Sequence, residues 1–289
     1  MKKLQEYILQ ARKEKKAIGH FNISNMEGFW AVVSAAKGLD VPVIIGVSEG
    51  ERDFIGVKEI ASVVKTYREY TGQPVFLNAD HTYSYERVVE AVDASFDAVI
   101  FDGTELPFDE NVLTTRKCIE YAKSHNKDIL IEAEIGFIGK SSKILSEIPE
   151  GVNITEEYLT KPEQAKDFAD KTGIDLLAPA VGNIHGMLKG GKDPALNIKR
   201  IDEIHKITGM PLVLHGASGN SNEDIVNAID AGVAIVHVNT ELRVAYRGGL
   251  VKSLQENPDE VAPYKYLKGA RNAMQKVVEE KLKVFNKLA

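Results

Sequence analysis

The 289 residues are 44% hydrophobic and 27% charged, an ordinary composition for a folded chain long enough to bury a sizeable core. A formal net charge of −6 without any basic block argues against a nucleic-acid partner, because phosphate-backbone binding needs clustered Lys and Arg. No apolar run approaches the roughly 18 residues that cross a membrane, and the single cysteine excludes an internal disulfide.

Taken in order, the chain opens with MKKLQEYILQARKEKK, whose apolar residues are broken by charges at every turn. This is an amphipathic helix and not a signal peptide, so the cytoplasm is the expected compartment. Short, nearly continuous apolar runs then alternate with segments of 3.6-residue periodicity. The runs cover residues 17–23, 41–47, 74–79, 98–101, 129–133, 175–180, 211–214 and 233–238; the periodic segments include 27–39, 57–70, 84–94, 110–124, 162–171, 198–208 and 222–231. Gly72, Gly173, Gly209 and Gly232 close four predicted helices, and Pro162 opens one. Cys118 sits among Val112, Leu113, Ile119 and Ala122 and reads as a core residue.

Parallel strands covered on both faces look like these runs, and eight strand–helix units close a (β/α)8 arrangement, the TIM barrel. The expectation is an α/β fold: one barrel domain over residues 1–289, with an N-terminal helix and a C-terminal helical extension. A hinge at 258–263 precedes that last helix, 266–287, whose apolar face (Met274, Val277, Val278, Leu282, Phe285) would pack on a neighbour or on its own barrel. A doubly wound open sheet fits less well, since no Gly-x-Gly-x-x-Gly follows the first strand. The longest irregular stretch, 136–155, is the length of a functional lid.

Barrel chemistry sits at the carboxyl ends of the strands. Three of the seven histidines fall just after three different strands, in Asn78-Ala79-Asp80-His81, Gly182-Asn183-Ile184-His185-Gly186 and His215-Gly216-Ala217-Ser218-Gly219. Three imidazoles converging on one rim, with positions left open, are the donor set of a catalytic zinc. Asp80 shares that rim and suits proton exchange with a substrate hydroxyl, or else caps the helix that follows. The glycine-bearing turns after the sixth and seventh strands, with Asn239 and Thr240 after the eighth, occupy the usual phosphate corner of the fold. His20 and His237 fall within strands, and His125 and His205 in helices.

At these residues the sequence resembles the class II fructose-bisphosphate aldolases, the metal-dependent group that includes tagatose-bisphosphate aldolase. The resemblance runs essentially end to end: Phe21-Asn22 with Asn25, Gly46-Val47-Ser48-Glu49-Gly50, Asp80-His81, Asp102-Gly103-Thr104 leading to Pro107-Phe108, Glu132-Ala133-Glu134-Ile135-Gly136, Leu177-Ala178-Pro179-Ala180, His185-Gly186, Leu212-Val213-Leu214-His215-Gly216 and Asn239-Thr240-Glu241. It implies one zinc ion per subunit on His81, His185 and His215, with Asp102 and Glu134 near an alternative metal position. Asp80 would be the acid/base. Asn22, Ser48, Gly186, Gly216, Ala217, Ser218, His237, Asn239 and Thr240 would contact the substrate or its phosphate, beside a monovalent cation, Na+ or K+. The implied reaction is retro-aldol cleavage of a ketose bisphosphate, whose enediolate charge a Lewis acid stabilises. No strand core carries the lysine that a Schiff-base aldolase needs. A homodimer or homotetramer acting on small sugar phosphates is the implied assembly.

Three positions depart from the family. Its mobile loop usually supplies a glutamate from a Gly-Gly-x-Glu-Asp stretch, whereas this chain reads Phe137-Ile138-Gly139-Lys140-Ser141-Ser142-Lys143 and offers only Glu147 and Glu150 further on. His237 stands where the eighth strand usually carries Asn, and Asn183 where a small hydroxyl residue precedes the second ligand. Besides fructose 1,6-bisphosphate cleavage, three readings therefore stand: an aldolase with another aldehyde partner (tagatose bisphosphate or a deoxy-ketonate phosphate), a silent sugar-phosphate-binding barrel, and a metal-free structural subunit.

Overall fold

The computed structural model describes residues 2–140, 143–148, 151–152, 154–190 and 193–288. Among them, eight parallel strands close a barrel: β1 (Ile18–Asn22), β2 (Val43–Val47), β3 (Val75–Thr82), β4 (Ala98–Phe101), β5 (Leu130–Ile135), β6 (Leu176–Pro179), β7 (Leu212–Leu214) and β8 (Val233–Val238). Neighbours in sequence are neighbours in the sheet, and β1 closes the ring against β8, with Ile18 opposite Ile235 and Phe21 opposite Val238. The helices are α1 (Leu4–Lys13), α2 (Met26–Leu39), α3 (Glu49–Ile55), α4 (Val57–Thr71), α5 (Tyr85–Asp93), α6 (Phe108–His125), α7 (Pro162–Thr172), α8 (Ile198–Thr208), α9 (Asn222–Asp230), α10 (Thr240–Glu256) and α11 (Pro263–Asn286).

Side chains alternate across each strand, so the barrel has two cores. Outward residues such as Phe21, Val43, Ile45, Val75 and Leu77 pack under the helices. Inward residues Ile18, Ile44, Phe76, Leu130, Val213 and Ile235 fill the lower barrel, and α1 stoppers it with Leu4 and Ile8. Each such side chain contributes about 2 kcal/mol by leaving water. Above this layer the interior turns polar: His20, Asn78, Glu132, His215 and His237 are all buried one step higher on their strands, and Asn22, Asp80, Asp102 and Glu134 a step above them. The apolar floor thus carries the polar layers toward the strand ends.

All eight expected strands are present, and Gly72, Gly173 and Gly209 are left-handed helix caps as read, while Gly232 follows the cap residue Ala231 of α9. Cys118 is fully buried on α6. The apolar face of α11 packs on its own barrel: Ala17 N donates to Phe285 O at 3.0 Å, and the Phe285 and Phe21 rings lie 6.3 Å apart. Helices α3 and α10 escaped the periodicity reading. The first is only about two turns long, Ser48 and Glu51 forming its capping box; the second buries only Thr240 and Leu242, too few for an apolar stripe. The expected lid is partly regular, because Ile144–Leu145 pairs in parallel with Met187–Leu188 and ties the long loop to the segment after β6.

Arg52 on α3 is wholly buried and clamps the tops of β2 and β3: Nη1 donates to Val47 O (2.9 Å) and Asp80 O (3.2 Å), and Nη2 to Thr82 Oγ1 (3.1 Å). Replacing it with Ala leaves three buried acceptors without donors. We expect Arg52→Ala to lower unfolding free energy by on the order of 3 kcal/mol, read by denaturant titration; a loss below about 0.5 kcal/mol would show the clamp to be unimportant.

Candidate metal and substrate site

On a regular strand Asp80 and His81 would point to opposite faces. They do not, because β3 bulges there. Its register against β4 slips between Ala79 and Thr82, and His81 takes the left-handed conformation, φ 33°. Side chains other than glycine pay about 1 kcal/mol or more for that conformation, and bulges re-aim side chains beside sites. As a result Asp80 and His81 both line one pocket at the strand ends, with Asn22, His185, Gly186, His215, Gly216, Ser218, His237, Asn239 and Thr240.

His185 and His215 reach it from the loops after β6 and β7. Gly216 makes their approach possible: its φ is +59°, and a Cβ would lie 2.1 Å from Ile184 O. The rings of His81, His185 and His215 are steeply inclined, with centroids 4.6, 4.9 and 5.9 Å apart in their three pairings. Each has one nitrogen already committed. His81 Nδ1–H donates to Asp102 Oδ2 (3.1 Å), His185 Nδ1–H to Gly139 O (2.5 Å) and His215 Nε2–H to Glu132 Oε1 (2.6 Å). Because those three acceptors can only accept, the protons of the neutral rings are assigned.

His81 Nε2 and His215 Nδ1 therefore face each other at 3.2 Å. With both rings neutral they present two lone pairs that a cation between them would satisfy; with His81 protonated, its Nε2–H donates to His215 Nδ1. Donors about 2.1 Å from one tetrahedral zinc are roughly 3.4 Å apart, so the spacing fits such an ion. Charge points the same way: buried Asp80, Asp102, Glu132 and Glu134 surround the three imidazoles. Burial alone would lower the His81 pKa, but Asp80, Asp102 and Glu134 outweigh it and raise it to about 10. Burial, then Asp102, lifts Glu134 to about 8, and burial with the His81 and His215 charges drops His185 to about 3. For Asp80, burial is outweighed by His81 and His237, and its pKa lies well below the carboxylate range.

The other expected residues are distributed as follows. Asn22 Nδ2 bridges Asp80 Oδ2 and Glu51 Oε2, both at 2.8 Å, and so fixes Asp80 with its Oδ1 unpartnered. Ser48 spends its N–H and hydroxyl on Glu51 and borders a wider cavity with Glu49, Tyr83, Lys140, Lys143 and Arg243. Asn239 and Thr240 begin α10, whose N-terminus faces the pocket beside Gly216 and Ser218, a ready anion position. Ala217 is buried off the pocket wall, its N–H donating to His237 O. Glu134 Oε2 is 3.6 Å from His81 Nδ1, so His81, Asp102 and Glu134 form a second ion-sized cluster. Glu147 is exposed and lines neither cavity, and Glu150 lies outside the described residues; the loop residues that reach the rim are lysines. Asn183 donates to His215 O and steadies the third ligand loop. His205, on α8 as read, is half-buried with Nδ1–H on Met210 O.

Comparison with known proteins decides the family. The family model of class II fructose-bisphosphate aldolases matches residues 2–288. The chain belongs to that family. Its relatives include the fructose-bisphosphate aldolase of Staphylococcus aureus (strain Mu50 / ATCC 700699), 37% identical over 98% of this chain and 96% of that one. The probable fructose-bisphosphate aldolase of Bacillus subtilis (strain 168) is 38% identical over the same shares. The crystal structure of the YdjI aldolase from Escherichia coli K12 superposes with a TM-score of 0.81 at 29% identity, covering 98% of this chain and 96% of its own. The family is metal-dependent, and the aldolase barrel seen here holds a cluster able to bind an ion.

Functional residues missed by sequence reasoning are Glu132 and Gly139, the acceptors behind His215 and His185. Glu132 carried a signal, being an acid two residues from Glu134 in an otherwise apolar strand; Gly139 O carried none. Outer partners of metal-bound imidazoles tune affinity by about 10–100-fold. We expect His215→Ala to abolish divalent-metal binding and Glu132→Gln to weaken it about tenfold or more, measured by chelator competition; wild-type affinity in both variants would refute the cluster as a metal site.

Proposed function

We propose that this chain is a zinc-dependent carbon–carbon lyase that reversibly cleaves fructose 1,6-bisphosphate to dihydroxyacetone phosphate and glyceraldehyde 3-phosphate. The observation that carries the reading is the convergence of the His81, His185 and His215 nitrogens within 4.8 Å of one another, with Asp80 in the same pocket. Zinc held by His81, His185 and His215 would supply the Lewis acid for negative charge that develops as the bond breaks.

The chain's own groups do the rest. Asp80, ionised and with Oδ1 open, takes the proton of the hydroxyl beside the cleaved bond and returns it in the synthetic direction. Asn22 holds that carboxylate still. The phosphate of the dihydroxyacetone half sits against Gly186, Gly216, Ser218, Asn239 and Thr240, at the N-terminus of α10. Ile184 O, pressed on Gly216, adds carbonyl density there that suits Na+ or K+. Asp102 and Glu134 offer the alternative metal position. Among the described residues none of the eight strands contains a lysine, which supports metal over Schiff-base chemistry.

Residues 1–289 would act as one barrel unit, in the cytoplasm and as a homodimer or homotetramer. In support, among the described residues no helix is long and apolar enough to cross a membrane, and Met26, Trp30 and Tyr70 form an exposed apolar patch on α2 and α4. A second substrate reading has its own observation: Lys140 and Lys143 line the cavity beside the rim with Glu49, which favours a ketose bisphosphate of different configuration at the cleaved bond, such as tagatose 1,6-bisphosphate.

EDTA is expected to abolish cleavage of fructose 1,6-bisphosphate and zinc to restore it, while borohydride traps no adduct. Persistent turnover in EDTA with a borohydride adduct would refute the metal mechanism, and faster cleavage of the tagatose isomer would reassign the substrate. Asp80→Ala should keep its zinc and lose at least about a hundredfold in kcat; unchanged turnover would remove Asp80 from its role.

A further inference from the structure

Beside the pocket, three imidazoles stack in a column running from β1 through β8 to β7. The His20 and His237 ring centroids are 3.5 Å apart with planes 4° from parallel, and His237 lies on His215 at 4.1 Å and 28°. His20 is fully buried and is not among the residues lining the pocket. Asn78 Nδ2 donates to its Nε2 at 3.1 Å. The ring lies on the bare backbone of Gly46, where a Cβ would be 2.1 Å from His20 Cε1.

The column is not a second metal site, although donor atoms of His20, Asp80 and His237 lie within 4.8 Å of one another. An ion bound to an imidazole nitrogen lies near the plane of that ring. Two parallel rings stacked 3.5 Å apart share no such point.

What the column does follows from how His215 is otherwise held. Its Nε2–H reaches Glu132, which fixes one direction but leaves the ring free to roll about that line. A roll would carry Nδ1 away from its place opposite His81 Nε2. Contact with the face of His237 removes that freedom. His237 in turn has only a long 3.4 Å approach from Nδ1 to Asp80 Oδ1, with Nε2 unpartnered, so its plane is set by the rings above and below it.

We propose that His20 is a positioning residue of the metal centre: through its stack on His237 it sets the plane of the His215 imidazole and the place of His237 beside Asp80. This rests on the metal reading above. The test compares wild type, His20→Ala and His20→Gln by zinc affinity in chelator competition, by the d–d spectrum of the cobalt-loaded protein and by Tm without metal. Gln can still bond Asn78 and fill much of the space, but it has no flat ring. Both variants are expected to bind zinc about tenfold or more weakly, as for other outer partners of metal-bound histidine, and to shift the cobalt bands. If His20→Ala fails to fold, His20→Gln carries the comparison. Wild-type zinc affinity and an unshifted cobalt spectrum in His20→Gln, with only Tm changed, overturn the proposal while leaving the metal centre standing. Failure of wild type itself to bind zinc overturns the metal reading and this inference with it.

Discussion

Imidazole has two nitrogens, and committing one decides what the other can do. In this barrel Asp102, Gly139 and Glu132 each accept the N–H of one nitrogen of a rim histidine, which turns the other nitrogen into the pocket. Two of those nitrogens meet at 3.2 Å inside a ring of buried carboxylates that favours positive charge at this point, as the raised His81 pKa reflects. The remaining architecture serves that arrangement. An apolar floor stoppered by α1 keeps the polar layers high in the barrel, and Arg52 ties down the strand tops from which Asp80 and His81 project.

Geometry at β3 costs something and gains something specific. Turning His81 into the left-handed region spends local backbone energy, about 1 kcal/mol or more, and in return brings two adjacent side chains onto the same face. The carboxylate proposed for proton transfer and an imidazole proposed to hold the metal then sit side by side without an extra strand to hold them. Asn22 completes the device by pinning one oxygen of Asp80 and leaving the other open.

Around this centre the long loop brings Lys140 and Lys143 to the rim, and a small parallel ribbon fastens it to the segment bearing His185. His237 on β8 is matched by His20 on β1 and by Gly46 on β2, which clears the space for the second ring. Three strands thus meet in the packing around the position 237 ring.

Much of this was readable in the sequence, because periodicity is local. Parallel strands buried on both faces are apolar runs, their helices repeat at 3.6, and glycine caps mark the ends; the barrel and the rim positions of His81, His185 and His215 follow. Helix α10 was silent for the same reason, since it buries too little to leave a stripe. Only the tertiary structure decided which nitrogen of each ring faces inward, that Glu132 and Gly139 stand behind two of them, that a bulge aligns Asp80 with His81, and that His20 stacks on His237. Those outcomes depend on contacts between residues 19 to more than 200 positions apart, where the partner's place is set by barrel closure and register; nothing in the neighbouring sequence records them.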